Sequence, residues 1–356
     1  MDNIIKITSD ARFCLARSLM TSSNNGGGAT SDTLEGAIDI FASLLEETRN
    51  TCGETSLNAA LCYYEYGNAL FRAVVRRKPL DSEDGTRQHE EEDLKPAAKK
   101  PSDSAGRKRS LGDDTKEDDL ALSNKKAKIE NNEEQDDNDE DDIALALEML
   151  STSFSIFDWH SIDDDNTKTK PEEKQYSLTQ IPRVLTTIGD VHSYCGKFGD
   201  AVDAYCRALP YREKAWEERQ QANKAKGESL SVEDLKCQRL VVETYALIAE
   251  ALLACKDAED VVCVNDEENE EGDSNVAAAK KCGNKKEGKV LVAAKDRIDF
   301  AESHYETARE KLQDIVYQMG KMAAAKANLG DEKKDIGYLV MMLVGIGNTL
   351  EPLKAS

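Results

Sequence analysis

Two stripes of apolar and small residues, each with a helical period, stand out in the stretch VLTTIGDVHSYCGKFGDAVDAYCRAL. The first stripe contains Leu185, Ile188, Gly189 and His192, and the second contains Ala201, Tyr205 and Ala208. A turn with the sequence GKFGD separates them. Residues three and four apart share one face of a helix, and small residues allow two helices to approach closely. The stretch therefore predicts two antiparallel helices joined by a short turn.

Both half-patterns recur along the chain. The first-helix pattern recurs as Tyr63, Tyr66, Gly67 and Leu70, as Tyr245, Ile248, Ala249 and Leu252, and less clearly as Arg12, Leu15, Ala16 and Leu19. The second-helix pattern recurs as Ala37, Phe41 and Leu44, as Ala146, Leu150 and Ser153, and as Ala301, Tyr305 and Ala308. Second-helix anchors follow Gly189 by 12, 16 and 19 residues, a spacing that resembles the tetratricopeptide repeat. The predicted fold is an all-α tetratricopeptide-repeat solenoid of four helix pairs.

The four pairs differ in the length of chain between their two helices. The small first-helix residue precedes the second-helix alanine by 12 residues in the third pair, but by 21, 79 and 52 in the first, second and fourth. Insertions of 9, 67 and 40 residues account for the differences. The two long insertions are rich in charged residues, Ser, Asn and Gly, which predicts that they are disordered.

These spacings predict the organisation of the whole chain. Residues 1–77 hold the first pair and the first helix of the second, and 78–141 form an acidic and basic disordered insertion. Residues 142–255 continue to the first helix of the fourth pair, and 256–296 form a second acidic insertion. Residues 297–356 complete the fourth pair and add a C-terminal helix that caps the solenoid.

Local signals refine several helix ends. The third pair continues through PYREKAWEERQQANKAKGES, and Ser231 with Asp234 predicts the start of the next helix. A helix from about Asp296 to Asn328 is expected to stop at Gly330, and the capping helix is expected to start at Asp331.

The chain carries a net charge of −22 over 356 residues, and the acids are concentrated. Nine of the thirteen residues from Glu130 to Asp142 are acids, and DDIALALEML follows without a break. The sequence predicts that these acids end the long loop and begin the second helix of the second pair, where they suit the helix dipole. The net charge argues against DNA binding by the core.

Other compositional features narrow the class of protein. None of the nine cysteines forms a CxxC pair, and most of them are expected to be small buried residues in a reducing compartment. The N-terminal sequence lacks the features of a secretory signal, and no apolar run approaches the roughly 18 residues of a membrane span. A soluble intracellular protein without a membrane partner is expected.

The repeats with their split second pair resemble the SHNi-TPR (NASP-like) family of histone chaperones. CGETSLNAALCYYEYGNALF and DDIALALEMLSTSFSIF resemble the two helices of the family's second repeat. IGDVHSYCGKFGDAVDAYCRAL is similar to its uninterrupted third repeat, and RLVVETYALIAEAL resembles the next first helix. Family members bind histones H3–H4, and often also linker histone, in histone storage, nuclear import or nucleosome assembly. The resemblance implies a nuclear binding protein with no cofactor or metal and no enzymatic activity.

The chain departs from the family pattern in two places. The fourth repeat carries the insertion DEENEEGDSN, which is longer than the family pattern leads us to expect. The family usually has a tyrosine three residues after the position of Glu243, where this chain has Ala246. Both departures concern the contacts of the fourth repeat.

In such repeats the first helices line the concave surface. By that rule Leu61, Arg183 and a set of binding candidates face inward, and the candidates are Tyr64, Asn68, Asp190, Glu243 and Glu250. The resemblance implies a histone-binding role for Asp190 and Glu243, and Tyr64 is expected to cover an apolar or arginine side chain of the histone. The alternative is that the three acids are only solvated side chains of a helix face.

The acidic loop is the second candidate binding element. Its acids are Glu133, Glu134, Asp136, Asp137, Asp139, Glu140, Asp141 and Asp142. A mobile polyanion raises the association rate of a basic partner and competes with DNA for it. The alternative is a disordered segment that only promotes solubility, and neither interpretation requires these acids for core packing.

Two basic clusters in the same insertion resemble a bipartite nuclear-import signal, which would bind a nuclear import receptor. The clusters contain Lys99, Lys100, Arg107, Lys108 and Arg109, followed by Lys125, Lys126 and Lys128. Short basic clusters often occur without this function, so alternating charge in a linker is the alternative.

Catalysis finds little support, because none of the four histidines lies in a recognisable Cys or Ser nucleophile context, and NNGGGATSD lacks the Lys-Ser/Thr of a phosphate-binding loop. The competing function is a peptide-docking scaffold or co-chaperone adaptor that clamps a C-terminal carboxylate. Arg183 and Asn68 suit such a clamp, whereas Asp190, Glu243 and Glu250 would repel a carboxylate. The preferred histone and the oligomeric state, including a homodimer, stay open.

Overall fold

Nine α-helices make up nearly all of the backbone that a computed structural model of the chain describes, namely residues 7–22, 31–77, 118–162, 170–227, 230–255, 261–262, 290–291, 294–325 and 332–355. The helices are α1 (Ala11–Ser22), α2 (Ser31–Cys52), α3 (Leu57–Arg77), α4 (Asp118–Ser161), α5 (Pro171–Tyr194), α6 (Phe198–Lys226), α7 (Val232–Ala254), α8 (Ala294–Ala325) and α9 (Glu332–Ala355). A short 3-10 helix, Ile7–Ser9, precedes α1. The prediction of an all-α fold is confirmed.

One small element departs from the helical prediction. Strand β1 (Val261–Val262) pairs antiparallel with β2 (Val290–Leu291), within the predicted fourth-pair insertion. The rest of that insertion up to residue 293 lies outside the described residues, as do residues 78–117 of the longer one. The pairing contains only two residues on each side, and it leaves the helical class of the fold unchanged.

Each helix packs mainly on its neighbours in the chain, from α1 against α2 to α8 against α9. The predicted pairs correspond to α1 with α2, α3 with α4, α5 with α6, and α7 with α8. A smaller contact joins α3 directly to α5. The expected C-terminal helix is α9, which packs on α8 through a face containing Leu339, Ile346 and Leu350. The predicted stop at Gly330 and start at Asp331 lie outside the described residues.

The anchor positions read from the sequence are buried in the second helix of every pair. They are Ala37, Phe41 and Leu44 in α2, Ala146, Leu150 and Ser153 in α4, Ala201, Tyr205 and Ala208 in α6, and Ala301, Tyr305 and Ala308 in α8. Even the polar anchor is accommodated, because the Ser153 hydroxyl donates to the backbone carbonyl of Ala60 at 2.8 Å. A buried hydroxyl that finds an acceptor avoids the cost of desolvation.

Glycine at the first-helix anchors allows a very close approach of the second helix. A Cβ added at Gly189 would lie 2.3 Å from Cε1 of Tyr205, and one at Gly67 would lie 2.9 Å from the carbonyl oxygen of Ala146. Real Cβ atoms do not approach other heavy atoms so closely. The ring of Tyr205 therefore occupies the space that any larger residue at position 189 would need.

Helix α6 connects two clusters of buried apolar residues. Ala208 belongs to a cluster built mainly from α1 to α5, whereas Ala201 and Tyr205 belong to a cluster built mainly from α6 to α9. Helix α6, in the pair with the shortest connection, thus contributes buried residues to both clusters.

Local sequence explains how α5, α6 and α7 begin and end. Helix α5 ends at Tyr194, and Gly196 turns the chain with a φ of 72°, so α6 starts at Phe198, inside the predicted turn. Gly227, with a φ of 66°, ends α6 in the left-handed conformation that glycine adopts without strain. The predicted start of α7 is confirmed, because Ser231 and Asp234 form a reciprocal capping box.

Residues 118–141, which the sequence predicts to be disordered, are helical in the structure. Helix α4 begins at Asp118, about 24 residues before its expected start, so the acid run lies within the helix and not at its N-terminus. The physical reason is that a helix already fixed by packing extends at one hydrogen bond per added residue, without a new nucleus. The segment from 118 to 161 also contains no glycine or proline to interrupt it.

Two acids of the run contribute to packing, which the sequence interpretation did not expect. Asp139 is only 2% exposed, and Arg77 at the end of α3 donates to it at 3.1 Å and to Asp142 at 2.6 Å. This ion pair joins the C-terminus of α3 to α4 across 62 residues of sequence. Glu140 and Asp141 are exposed.

We expect Asp139→Ala to lower the free energy of unfolding by about 1–3 kcal/mol, because a buried charge-assisted hydrogen bond is lost while Arg77 keeps Asp142. The neighbouring change Glu140→Ala should alter it by less than about 0.5 kcal/mol. Denaturant unfolding of both variants measures the difference. Equal stability of the two would contradict the packing of Asp139 against α3.

A second expectation concerns the close approach of α5 and α6. Gly189→Ala should lower the free energy of unfolding by about 1–3 kcal/mol, because the new methyl group overlaps a rigid buried ring. Gly320→Ala in α8 is the matched control, since nothing lies within 4 Å of its added Cβ, and it should raise stability by up to about 1 kcal/mol. Thermal and denaturant unfolding should show a loss of stability for Gly189→Ala and a gain for Gly320→Ala.

Candidate binding surface

A buried carboxylate links the first three of the predicted first helices. Glu65 of α3 is 2% exposed, and Arg183 of α5 donates to it at 3.1 Å. Arg17 of α1 approaches the same oxygen at 3.5 Å. We call the surface that continues from these three residues through Asp190, Arg212, Arg239 and Glu243 the charged row.

Two of the predicted binding residues, Tyr64 and Asn68, lie in the interior of the protein. Tyr64 is 4% exposed, its hydroxyl is 3.3 Å from Thr187 Oγ1, and the guanidinium of Arg183 lies 4.4 Å from its ring centroid. Asn68 is also buried. Tyr64 therefore covers an arginine of its own chain, whereas the expectation was a side chain of the histone. Neither Tyr64 nor Asn68 offers an open surface to a partner.

Asp190 is a partly buried carboxylate held by the tyrosine that packs on Gly189. The Tyr205 hydroxyl donates to Asp190 Oδ1 at 2.8 Å. Burial raises the pKa of Asp190 to about 6, although this hydrogen bond and the charge of Arg212 both oppose the rise. Asp190 is thus mostly ionised at neutral pH and changes its charge just below it.

Arg212 of α6 connects α5, α6 and α7. Its guanidinium donates to Thr186 Oγ1 at 2.8 Å, to the Leu240 carbonyl at 2.8 Å and to the Thr244 hydroxyl. Desolvation lowers the pKa of Arg212, while the carboxylates of Glu243 and Asp190 act in the opposite direction. The two predicted acids therefore lie within the electrostatic range of one cation.

Sequence reasoning missed Arg212, because only first helices were expected to line the surface. A signal was present, since Ala201, Tyr205 and Ala208 form an inward stripe and position 212 continues it by one turn. Glu65 was missed in the same way, as an acid in the middle of the apolar stretch of α3.

The two acids of α7 differ in their surroundings. Glu243 accepts a hydrogen bond from Arg239 Nε at 2.8 Å, and the guanidinium of Arg239 lies 5.0 Å from the ring centroid of Tyr338 in α9. Glu250 is exposed, and nearby protein atoms still raise its carboxyl pKa by partial desolvation. Burial and the neighbouring Asp190 are the main causes of the raised pKa of Tyr205, and the charge of Glu250 adds to them, so Glu250 lies near the contact between Tyr205 and Asp190.

The remaining predicted positions lie on or before α4. Lys99, Lys100, Arg107, Lys108 and Arg109 lie outside the described residues. Lys125, Lys126, Lys128, Glu133, Glu134, Asp136 and Asp137 lie on the part of α4 whose backbone alone is described. Of the predicted acidic loop, Glu140 and Asp141 are therefore the exposed acids with described side chains.

Among the described side chains, no group of three or more His, Cys, Asp and Glu residues is arranged to hold a metal ion. None of the described helices is both long and apolar enough to cross a membrane. Comparison of the sequence with protein-family models and with curated proteins gave no match.

We expect Asp190→Asn to remove a specific pH dependence of stability. Because the folded pKa lies near 6, above the ordinary value of 3.8, the stabilising effect of protonation is full below pH 3.8 and is lost as pH rises through 6. The unmodified chain should thus lose about 1–1.5 kcal/mol relative to the variant between pH 5 and pH 7.5. Denaturant unfolding at several pH values tests this, and a constant difference would contradict the burial of Asp190.

Proposed function

We propose that the chain is a histone chaperone of the SHNi-TPR type, with four tetratricopeptide helix pairs and a C-terminal capping helix, and that it binds histones H3–H4. The observation that carries the proposal is the contact between small first-helix anchors and second-helix anchors. Gly67 meets Ala146 across 79 residues of sequence, and Gly189 meets Tyr205. The family resemblance requires such contacts. They occur in the third pair, where the connection between the helices is short, and in the second pair, where a long insertion interrupts it.

The proposed binding surface centres on Asp190, Glu243 and Glu250. At neutral pH, Asp190 is mostly ionised, and Glu250 is exposed. A lysine or arginine of the histone competes with Arg239 for Glu243 and adds a cation beside Glu250. Charge-assisted hydrogen bonds of this kind contribute about 1.5–3 kcal/mol each when they are partly desolvated.

Helix α4 supplies the second part of the proposed interaction. Glu140 and Asp141 are exposed, and the other acids of the run lie on the same helix, most of them before these two. The negative field of the run attracts a basic histone and accelerates association, and salt screens this effect. Asp139 and Asp142 are excluded from this role, because Arg77 already binds them.

The competing function, a scaffold that clamps a carboxylate, has less support. The arginines that would form the clamp already have partners: Arg183 binds Glu65, and Arg212 binds two threonine hydroxyls and a backbone carbonyl. The proposal includes five further predictions: binding of linker histone, a nuclear location, nuclear import through a receptor, a role in histone storage or nucleosome assembly, and a homodimer.

We expect the double change Glu243→Gln with Glu250→Lys to weaken H3–H4 binding by about 10-fold to 100-fold at low salt. The glutamine keeps a hydrogen bond with Arg239, and position 250 is exposed, so the thermal midpoint should change little. Asp190 is left unchanged, because a lysine there would break its contact with Tyr205. Titration calorimetry or anisotropy with purified H3–H4 measures the affinity.

The control variant is Glu217→Lys with Glu310→Gln, which makes the same change of charge at exposed positions of α6 and α8. It should bind H3–H4 nearly as the unmodified chain does. An equal loss in both variants would show that net charge alone matters, and unchanged binding in the first variant would exclude the proposed surface. Tight binding of an acidic C-terminal peptide would instead favour the scaffold.

A further inference from the structure

Helix α4 presents a continuous exposed stripe to solvent that starts at the end of the acid run and continues beyond it. Its members recur every three or four residues and are Asp141, Ala144, Glu148, Ser151, Ser155 and Trp159. The stripe changes from carboxylates at one end, through two hydroxyls, to an indole at the other. The residues of this stripe are exposed and differ from the buried anchors through which α4 packs.

An open groove of about 400 Å³ follows the second half of this stripe. Glu148, Ser151, Ser155 and Trp159 line one side, and Thr55, in the turn between α2 and α3, lines the other. The groove contains one charged lining residue, a glutamate, and no lysine or arginine. It is therefore electrostatically suited to a cation and unsuited to an anion.

The aromatic end of the groove is fixed in place. His160 Nε2 is 2.9 Å from the carbonyl oxygen of Thr55, which ties the end of α4 to the turn between α2 and α3. The Trp159 ring packs edge-to-face on the His160 ring with centroids 4.6 Å apart, yet Trp159 is 50% exposed. An aromatic side chain that already packs on a neighbouring ring loses less side-chain entropy when a ligand covers it than a fully free one does.

We propose that this groove binds a basic, extended segment of the partner, with Glu148 pairing one lysine or arginine and Trp159 covering another. An indole face attracts a cation, and a carboxylate does so more strongly when the pair is partly desolvated. Glu148 and Trp159 are 11 residues apart on the helix, about 16 Å, which five residues of extended chain span. Two basic residues about five positions apart, with small polar residues between them, fit this spacing.

The inference rests on the proposed function in one respect, that the partner is basic. It adds a site that shares no residue with the charged row and that lies on the same helix as the acid run. A basic chain drawn in by the acids reaches Glu148 within two turns of Asp141, so recruitment and docking follow one another along α4.

Tryptophan emission provides a direct test, since the chain has two tryptophans and Trp216 is only 6% exposed. In a Trp216→Phe background, Trp159 alone reports on the groove. The probe is a synthetic 12-residue peptide of Ser and Gly with arginines five positions apart and no aromatic residue. Its addition should change Trp159 emission in a saturable way, and the same peptide with glutamate in place of arginine should not.

Glu148→Gln should weaken the binding of this peptide about 10-fold, and Glu148→Lys should abolish it, whereas Glu310→Gln should leave it unchanged. If Trp216→Phe reduces stability, Trp159→Phe in the otherwise unmodified chain serves instead, because the emission change should then disappear. Unchanged Trp159 emission at saturating arginine peptide overturns the groove proposal.

Titration with H3–H4 separates this inference from the proposed function. If H3–H4 binds equally well to the unmodified chain and to Glu148→Lys with Trp159→Ala, the groove is not a docking site for that partner, and the histone-binding proposal stands. If H3–H4 fails to bind the unmodified chain while the arginine peptide saturates Trp159, the histone proposal fails and the groove is supported as a site for a different basic partner.

Discussion

The centre of the charged row, Asp190, depends on one steric constraint, the packing of the Tyr205 ring on Gly189. A Cβ at position 189 would lie 2.3 Å from that ring, so only glycine lets α5 and α6 approach so closely. This approach brings the Tyr205 hydroxyl to 2.8 Å from Asp190, the next residue along α5. Enclosure by the two helices then raises the pKa of that carboxylate to about 6. The close packing that requires glycine at position 189 thus also raises the pKa of the next residue, Asp190.

Most charged groups along the row already have partners within the chain. Glu65 has two arginines, Glu243 has Arg239, and Arg212 is held by hydroxyls and a carbonyl. A buried charge without a partner is expensive, so internal pairing is what allows charged groups at this depth. A basic ligand therefore has to replace an internal partner, such as Arg239 on Glu243. Its binding free energy is the difference between the new ion pair and the internal one that it replaces. Such a surface favours specificity of geometry over raw affinity, while exposed acids such as Glu250 contribute attraction.

Helix α4 combines two tendencies that oppose each other in an isolated peptide. Like charges three and four residues apart disfavour a helix by a few tenths of a kcal/mol per pair. Packing of its C-terminal half on α3 and α5 supplies the nucleus, and each further residue then adds a hydrogen bond. The result is a 44-residue helix that places an acid run, an exposed stripe and a groove in one line. A flexible loop with the same composition would hold its acids in no fixed relation to Trp159.

The sequence by itself determined the helical class, the alternation of first and second helices, the buried anchors and the capping box at Ser231. These features depend on hydrophobic periodicity and on short-range hydrogen bonds, and both can be recognised in a sequence segment of a few helical turns. Only the tertiary structure decided which charges are available. The contacts of Tyr64 with Thr187, Arg183 with Glu65, and Arg77 with Asp139 span 123, 118 and 62 residues. A helical period tells which side of a helix is buried, but the partner on that side is chosen by how the helices pack, and that choice separates an internal ion pair from a charge left for a ligand.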